Sequence, residues 1–270
     1  YEMLRSLVGS EMCIRDSKYS VRFYHELQEE TGMDVGFKTV SNIRLATNQD
    51  RMDEYYQYAG VAQTIGVDVN FLTPEQVKEV WPLINTEGLV GAIQHPEDGY
   101  IQPADLTQAL ATGARNRGAE IYRNTCVTAI ERTSSGEWLV KTDKGDITCE
   151  HVVTASGSFA RDVGAMVGLE VPVIPVEHQY IVTEPHPDIQ QRKADGLPEM
   201  GVLRESDGSW YMREERGGLI LGPYEKGAPA CYVDGPAEDT EYELPGGSRS
   251  PGTPYRVCDQ PRSGLWRGRC

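Results

Sequence analysis

Two neighbouring stretches of this chain hold residue types that could do chemistry. The first is Thr154-Ala155-Ser156-Gly157, where the short apolar run Val152-Val153 breaks into small residues ahead of a helix expected over Phe159 to Val167. Small side chains at a strand-to-helix turn let the backbone come close to a ligand, often a nucleotide phosphate or ribose. The same pattern also fits an ordinary βα turn, because one short glycine motif recurs by chance. The second stretch is Glu177-His178-Gln179-Tyr180, a cluster of polar groups on a strand-like run. The joint between the two, Val171-Pro172 to Pro175-Val176, reads as a crossing from one domain to another.

The composition narrows what such groups could serve. A chain of 270 residues, 39% hydrophobic and 25% charged, can build one large domain or two modest ones with real cores. Its formal net charge of −15 argues against a nucleic-acid partner, since neutralising phosphates needs clustered Lys and Arg. No apolar run approaches the roughly 18 residues of a membrane helix. The chain starts at a tyrosine, so its N-terminus says nothing about compartment. Within 18–243 the thiols are Cys126, Cys149 and Cys231, with no Cys-x-x-Cys pair or metal spacing. They are expected to be buried and unpaired, which fits a reducing compartment: the cytoplasm, or alternatively the mitochondrial matrix.

The ends differ from the middle. Residues 1–17 contain SLVGSEMCIRDS, similar to a translated sequencing-adapter peptide, and 244–270 hold five Arg and four Pro but no Lys, like a GC-rich gene read out of frame. Both are expected to be artefacts. Finding those codons in frame on re-sequencing would overturn that.

Between the ends, periodicity places the elements. A helix capped by Ser17 is expected to run to about Glu30, with Val21, Tyr24 and Leu27 on one face. A strand over Phe37–Ala46 follows, then a helix from about Asp50 to Thr64 with Met52, Tyr55, Tyr56 and Ala59 inward. Thr73-Pro74-Glu75-Gln76 is a compact helix start, with Thr at the N-cap, Pro next and Gln three on. Leu89–Gln94 reads as a strand ending in the turn His95-Pro96-Glu97-Asp98-Gly99, and Pro103–Arg117 as a helix with Leu106, Ala109, Leu110 and Ala114 on one face. Strands are expected at Ala119–Tyr122 and Thr125–Arg132, a hairpin at Trp138–Thr142 and Asp146–Cys149, and a further strand from His151. His25, His95, His151 and His186 are expected at the surface or in turns.

This order is that of a mixed α/β chain (α/β with α+β character): the second half of a two-dinucleotide-binding-fold flavoprotein, with a β-rich substrate domain. Residues 18–35 and 95–170 would belong to the cofactor domain, and 36–94 and 171–243 to the substrate domain.

Three segments carry a family resemblance: DGYIQPADLTQALATGAR at 98–115, the run from Glu150 to Glu184, and LRESDGSWYMREERGGLILGPYE at 203–225. Together they resemble the dimethylglycine and sarcosine dehydrogenase family, FAD-dependent amine oxidoreductases of the D-amino-acid-oxidase-like superfamily. The likeness covers roughly residues 18–230. It implies that Val127 meets the adenine of FAD and that Ala155, Ser156 and Gly157 run past the cofactor, with Phe159 where the family usually has Trp. It further implies that His178 and Tyr211 are active-site residues. Arg213 is a candidate for the substrate carboxylate, or equally for a structural salt bridge.

The chemistry of such a site favours these types. A protonated amine has no lone pair to drive hydride loss, so the site must take its proton, and histidine titrates in the right range. The implied reaction is oxidative demethylation of an N-methylated amino acid. The imine then hydrolyses to formaldehyde, or passes its one-carbon unit to tetrahydrofolate in longer members. The implied partners are that small amino acid and an unspecified electron acceptor, with neither nucleic acid nor membrane. Nothing in the chain matches the Gly-x-Gly-x-x-Gly βαβ unit that holds the FAD pyrophosphate, so this stretch alone is expected not to hold FAD tightly and to be inactive. Another amine or hydroxy-acid oxidase of the superfamily, or a non-catalytic remnant of the fold, are the rival readings.

Overall fold

The computed structural model describes residues 2–231 and 233. In chain order the elements are α1 (Glu2–Thr31), β1 (Lys38–Thr39), β2 (Asn42–Ala46), α2 (Gln49–Thr64), β3 (Asn70–Leu72), α3 (Pro74–Val80), β4 (Gly91–His95), β5 (Gly99–Tyr100) and α4 (Pro103–Asn116). They continue with β6 (Val127–Arg132), β7 (Trp138–Thr142), β8 (Gly145–Cys149), a 3-10 turn (Gly157–Phe159), α5 (Ala160–Ala165), β9 (Ile181–Val182), α6 (Pro187–Ala194), β10 (Val202–Glu205), β11 (Trp210–Glu215) and β12 (Gly218–Pro223). Two compact units result among the described residues, one built from residues 2–119 and Gln179–Tyr224, the other from Glu120–His178 and residues 225–231. The expected tail at 244–270 lies outside the described residues, as do residues 234–243 of the expected substrate domain.

The first unit is organised by a seven-stranded sheet in the order β3-β4-β2-β10-β11-β12-β9, antiparallel except where β10 runs parallel to β2. Alternation along each strand divides the sheet into two faces. One face packs Ile43, Leu45, Ala92, Leu203, Met212 and Leu219 against Val77 of α3, Trp81, Ile84 and Ile189 of α6. Trp81 is fully buried, and its indole N–H donates to the Gly201 carbonyl at 2.7 Å. The opposite face carries Ala46 and Ile93 under Met52 and Tyr55 of α2. A separate small core joins α1 to α4 through Leu27, Val35 and Ala109.

The helix starts follow from local chemistry. Thr73 accepts from the Gln76 N–H while the Gln76 side chain accepts from the Thr73 N–H, closing the expected capping box with Pro74 in the first turn. The β11–β12 hairpin turns on Arg216 and Gly217, both at positive φ, as a two-residue hairpin requires.

Several expectations are corrected. The first helix begins at Glu2, not at a Ser17 cap. The strand over 37–46 is broken into β1 and β2 by Ser41 at φ 70. On α2, Tyr56 points outward, where its ring packs on Phe71 with centroids 4.5 Å apart. On α4 the buried positions are Ala109 and Gly113, while Leu110 is exposed. A Cβ on Gly113 would touch Thr31 and Leu27 at 3.4 and 3.5 Å, so α1 approaches α4 closely there.

In the second unit β6, β7 and β8 form a three-stranded meander, as expected. No strand forms at Ala119–Tyr122 or from His151, and Val153 is 89% exposed. A strand needs a neighbour for its N–H and C=O groups, and neither segment has a ladder partner among the described residues. The helix expected over 159–167 shortens to α5, which ends at Ala165, and the turn after it closes on Gly168 at φ 74. The thiols are less buried than expected: Cys126 is exposed, Cys149 and Cys231 half-buried.

Candidate active site

The small-residue segment leads into a helix as expected, but no strand precedes it. Gly157 opens the 3-10 turn at φ 54, a conformation that favours glycine, and a Cβ added there would meet nothing within 4 Å. Ala155 is exposed, Ser156 and Phe159 half-buried, and the Ser156 hydroxyl lies 2.8 Å from that of Thr154. The turn therefore presents bare backbone and short hydroxyls with open space beside them. Val127 begins β6 and is half-buried, and the register slips between Val127 and Ala129.

His178 belongs to the same unit and is held by backbone pairing. Val176 bridges Ala230, the Glu177 N–H donates to the Pro229 carbonyl at 3.0 Å, and the Cys231 N–H donates to the Pro175 carbonyl at 2.9 Å. That pairing brings Glu225 to His178: the imidazole Nδ1 lies 3.2 Å from the carboxylate, with both side chains at least two-thirds buried. A carboxylate beside Nδ1 favours the tautomer with its proton on that nitrogen. The expected strand over Glu177–Tyr180 is reduced to that single bridge, and regular pairing starts only at β9.

Tyr211 and Arg213 lie in the first unit on β11, flanking the core residue Met212, so alternation puts both on the face opposite the main core. The Tyr211 ring lies over Gly222, its cross-strand partner on β12, and a Cβ on Gly222 would land inside that ring. Tyr224 packs beside it, with centroids 5.5 Å apart and planes at 45°. Burial, with a smaller contribution from Tyr224, raises the Tyr211 hydroxyl above its usual range, while Arg204 and Arg213 oppose this. Tyr211 thus stays an O–H donor at neutral pH.

Arg213 is already committed. Its Nη1 lies 2.7 Å from the Glu215 carboxylate and donates to the Glu214 carbonyl at 2.8 Å, and its guanidinium sits 4.1 Å over the Tyr100 ring. Tyr100 in turn donates to Glu199 at 2.6 Å, and Glu199 pairs with Lys38. These contacts are of the kind that the salt-bridge alternative for Arg213 expects.

His95 is a correction. Instead of lying at the surface it is buried at the end of β4, with Nε2 3.1 Å from the Tyr58 hydroxyl. Burial pushes its pKa down, the Arg44 charge adds to this, and Asp98 opposes both. Of the others, His25 and His151 are exposed, and His186 caps α6 through Nδ1 and the Asp188 N–H. Residues the sequence reading passed over are Glu225, Gly222 and Tyr224. All three lie in the GPYE end of the 203–225 segment, whose strand alternation and closing acid were the available signal.

Comparison with known proteins gives the family. Residues 3–249 match the DAO family, described as FAD dependent oxidoreductase. The chain is 40% identical over 206 residues to the mitochondrial dimethylglycine dehydrogenase of Rattus norvegicus, covering 76% of this chain and 24% of that protein. It is 34% identical over 208 residues to the mitochondrial sarcosine dehydrogenase of Homo sapiens, covering 74% of this chain and 22% of that one. The chain thus spans about a quarter of the length of these curated relatives. Among solved structures, L-proline dehydrogenase from P. horikoshii superposes with a TM-score of 0.66 at 28% identity, over 78% of this chain and 55% of that one. The chain belongs to the DAO family of FAD-dependent oxidoreductases.

Proposed function

We propose that this chain is part of an FAD-dependent dehydrogenase or oxidase that demethylates an N-methylated amino acid of the dimethylglycine or sarcosine type. The observation that carries the reading is the His178–Glu225 pair, in which a carboxylate braces an imidazole of the kind that takes the proton of an ammonium substrate. In this reading 18–35 and 95–170 are the cofactor part and 36–94 and 171–243 the substrate part. The word mitochondrial in these relatives' names supports the mitochondrial alternative over the cytoplasm.

The residues present fit one edge of a flavin nucleotide: the open backbone at Ala155, Ser156 and Gly157, the Phe159 ring, and Val127 at the head of β6. The chemistry FAD supplies when bound is acceptance of a hydride from the carbon beside the amine nitrogen. His178 takes the ammonium proton, which frees the nitrogen lone pair, and Glu225 beside Nδ1 steadies the resulting imidazolium. The Tyr211 O–H, kept protonated by its burial, donates a hydrogen bond to the substrate.

The test uses the full-length protein. A bound-flavin absorbance spectrum is expected, bleaching on anaerobic addition of at least one N-methylated glycine. Absence of bleaching with every member of the panel would end the demethylase reading. His178→Ala is expected to slow flavin reduction by roughly 10²–10⁴-fold with FAD content unchanged, whereas equal loss of both would make His178 structural. The likeness to L-proline dehydrogenase favours, as second reading, oxidation of another secondary amine, which L-proline in the same panel would reveal.

A further inference from the structure

The unit built on the large sheet holds a cavity of about 590 Å³ between the end of α6 and the β11–β12 hairpin. That volume lies in the range of small-molecule sites. Four cations line it, Lys38, Arg192, Lys193 and Arg216, against three acids, Glu199, Glu214 and Glu215. The balance is the reverse of the chain's, which has 41 acidic residues against 26 Lys and Arg. Two of the acids are matched already. Glu199 takes Lys38 at 3.1 Å and the Tyr100 hydroxyl at 2.6 Å, and Glu215 takes Arg213 at 2.7 Å and Arg216 at 3.6 Å. Glu214 accepts the Met200 N–H at 2.8 Å. Burial raises its pKa and Glu199 adds to this, while the Met200 N–H, Arg192 and Lys38 oppose both. Among the described residues neither Arg192 nor Lys193 has a carboxylate within ion-pair distance, and Arg192 donates instead to the Pro198 carbonyl at 3.1 Å.

Both residues sit in the last turn of α6, where the helix dipole favours cations. The dipole explains basic residues in that turn, but not their facing a cavity that two further cations line. Like charges around one concave space repel, and a small anion placed among them removes the repulsion. We propose that this cavity binds a small polyvalent anion, a carboxylate or phosphate compound, with Arg192 and Lys193 as its principal ligands and Lys38 drawn in from Glu199. The guanidinium fork of Arg192 suits either oxyanion, and the Lys193 ammonium serves as a point charge. Glu214, pushed toward its neutral form by burial, repels such an anion less than an ordinary carboxylate does. A consequence reaches the sheet face that carries Tyr211. Lys38 and Tyr100 share Glu199, the Tyr100 ring lies 4.1 Å from the Arg213 guanidinium, and Arg213 stands two residues from Tyr211 on β11. An anion that takes Lys38 from Glu199 therefore disturbs a chain of contacts ending beside Tyr211. This consequence, unlike the anion site, rests on the reading of Tyr211 as an active-site residue.

The experiment uses the full-length flavoprotein, with inorganic phosphate and succinate as probes and sodium chloride at matched ionic strength as the control. Binding is read by titration calorimetry and from the rise in melting temperature. Wild type is expected to bind at least one probe where chloride gives no signal. Arg192→Gln and Lys193→Gln should each weaken that binding by about tenfold or more, the size of one charged hydrogen bond, and Arg192→Lys by less. Lys193 is exposed, so its Gln variant keeps the test open if Arg192→Gln fails to fold. The tighter probe names the ligand's chemistry, phosphate for a phosphorylated compound and succinate for a dicarboxylate. Bound anion should change the KM for the amino acid by about fivefold. Tyr100→Phe, which loses the Glu199 contact, should remove that change while anion binding is kept. Neither probe exceeding chloride overturns the site, as does binding that survives unweakened in both Gln variants. Binding that leaves KM unchanged overturns the link to Tyr211. If no N-methylated glycine bleaches the flavin yet anion binding still requires Arg192 and Lys193, the demethylase reading falls and the anion site stands.

Discussion

Gly222→Ala tests the placement of Tyr211 most directly. Gly222 sits in the middle of β12 with ordinary backbone angles, so a methyl group there has no conformational penalty of its own. In an isolated strand the change would stabilise, because glycine in a strand interior costs about 0.5–1 kcal/mol relative to alanine. Here the new methyl would occupy the volume of the Tyr211 ring. The ring must swing away, which costs about 1–3 kcal/mol of overpacking. It also gives up its contact with Tyr224, now at 5.5 Å between centroids, a loss of about 0.5–1.5 kcal/mol. The net expectation is destabilisation by about 1–3 kcal/mol. In a Tyr211→Ala background the ring is gone, and the same substitution should stabilise by about 0.5 kcal/mol. The assay is a double-mutant cycle read from urea midpoints of the full-length protein, where residues in contact show their coupling directly. A Gly222→Ala effect of the same sign and size in both backgrounds would refute the placement of the Tyr211 ring over Gly222.

Two further outcomes follow from local chemistry. Thr73→Ala opens the capping box of α3 and should cost about 1 kcal/mol by urea denaturation, with Thr73→Ser nearly neutral; no loss with Ala would remove the cap from the account. His95 is held below its usual pKa by burial first and the Arg44 charge second, with Asp98 opposing. As pH falls through about 6.5 the unfolded chain takes up a proton that the folded one refuses, so stability drops toward the lower folded value. His95→Gln, which can still reach the Tyr58 hydroxyl, should flatten that part of the stability profile between pH 8 and 5. An unchanged slope would show that another group titrates there.

What was legible in the sequence was what neighbouring residues decide. The α3 cap lies within four residues, and the meander β6–β8 reads from alternation around Lys144-Gly145. The large sheet is a different matter. β2 and β10 pair over a separation of about 160 residues, and no periodicity in either strand names the other. His95 was misplaced because His-Pro-Glu-Asp-Gly reads locally as a turn, whereas β4 lies inside the sheet and Tyr58 of α2 closes over it. The strand expected from His151 failed for the opposite reason: its apolar residues suit a buried strand, but pairing needs partners that the local sequence does not specify.

The distribution of cost across the large sheet separates what the fold needs from what its chemistry needs. On one face β2, β10 and β11 contribute Ile43, Leu45, Leu203 and Met212, all nearly fully buried and apolar. On the other face the same strands carry Asn42, Arg44, Arg204, Tyr211 and Arg213. Three polar atoms of adjacent positions there, Asn42 Oδ1, Arg44 Nε and His95 Nδ1, are buried without a partner. Each such atom costs about 1–3 kcal/mol, and apolar residues of similar size would remove that cost. Random drift would scatter these costs over the molecule, yet three of the four such atoms among the described residues fall on neighbouring positions of one sheet face. That clustering puts the cost on the face that α2 closes over, where Tyr58 reaches His95, and leaves the apolar core on the other face free of it.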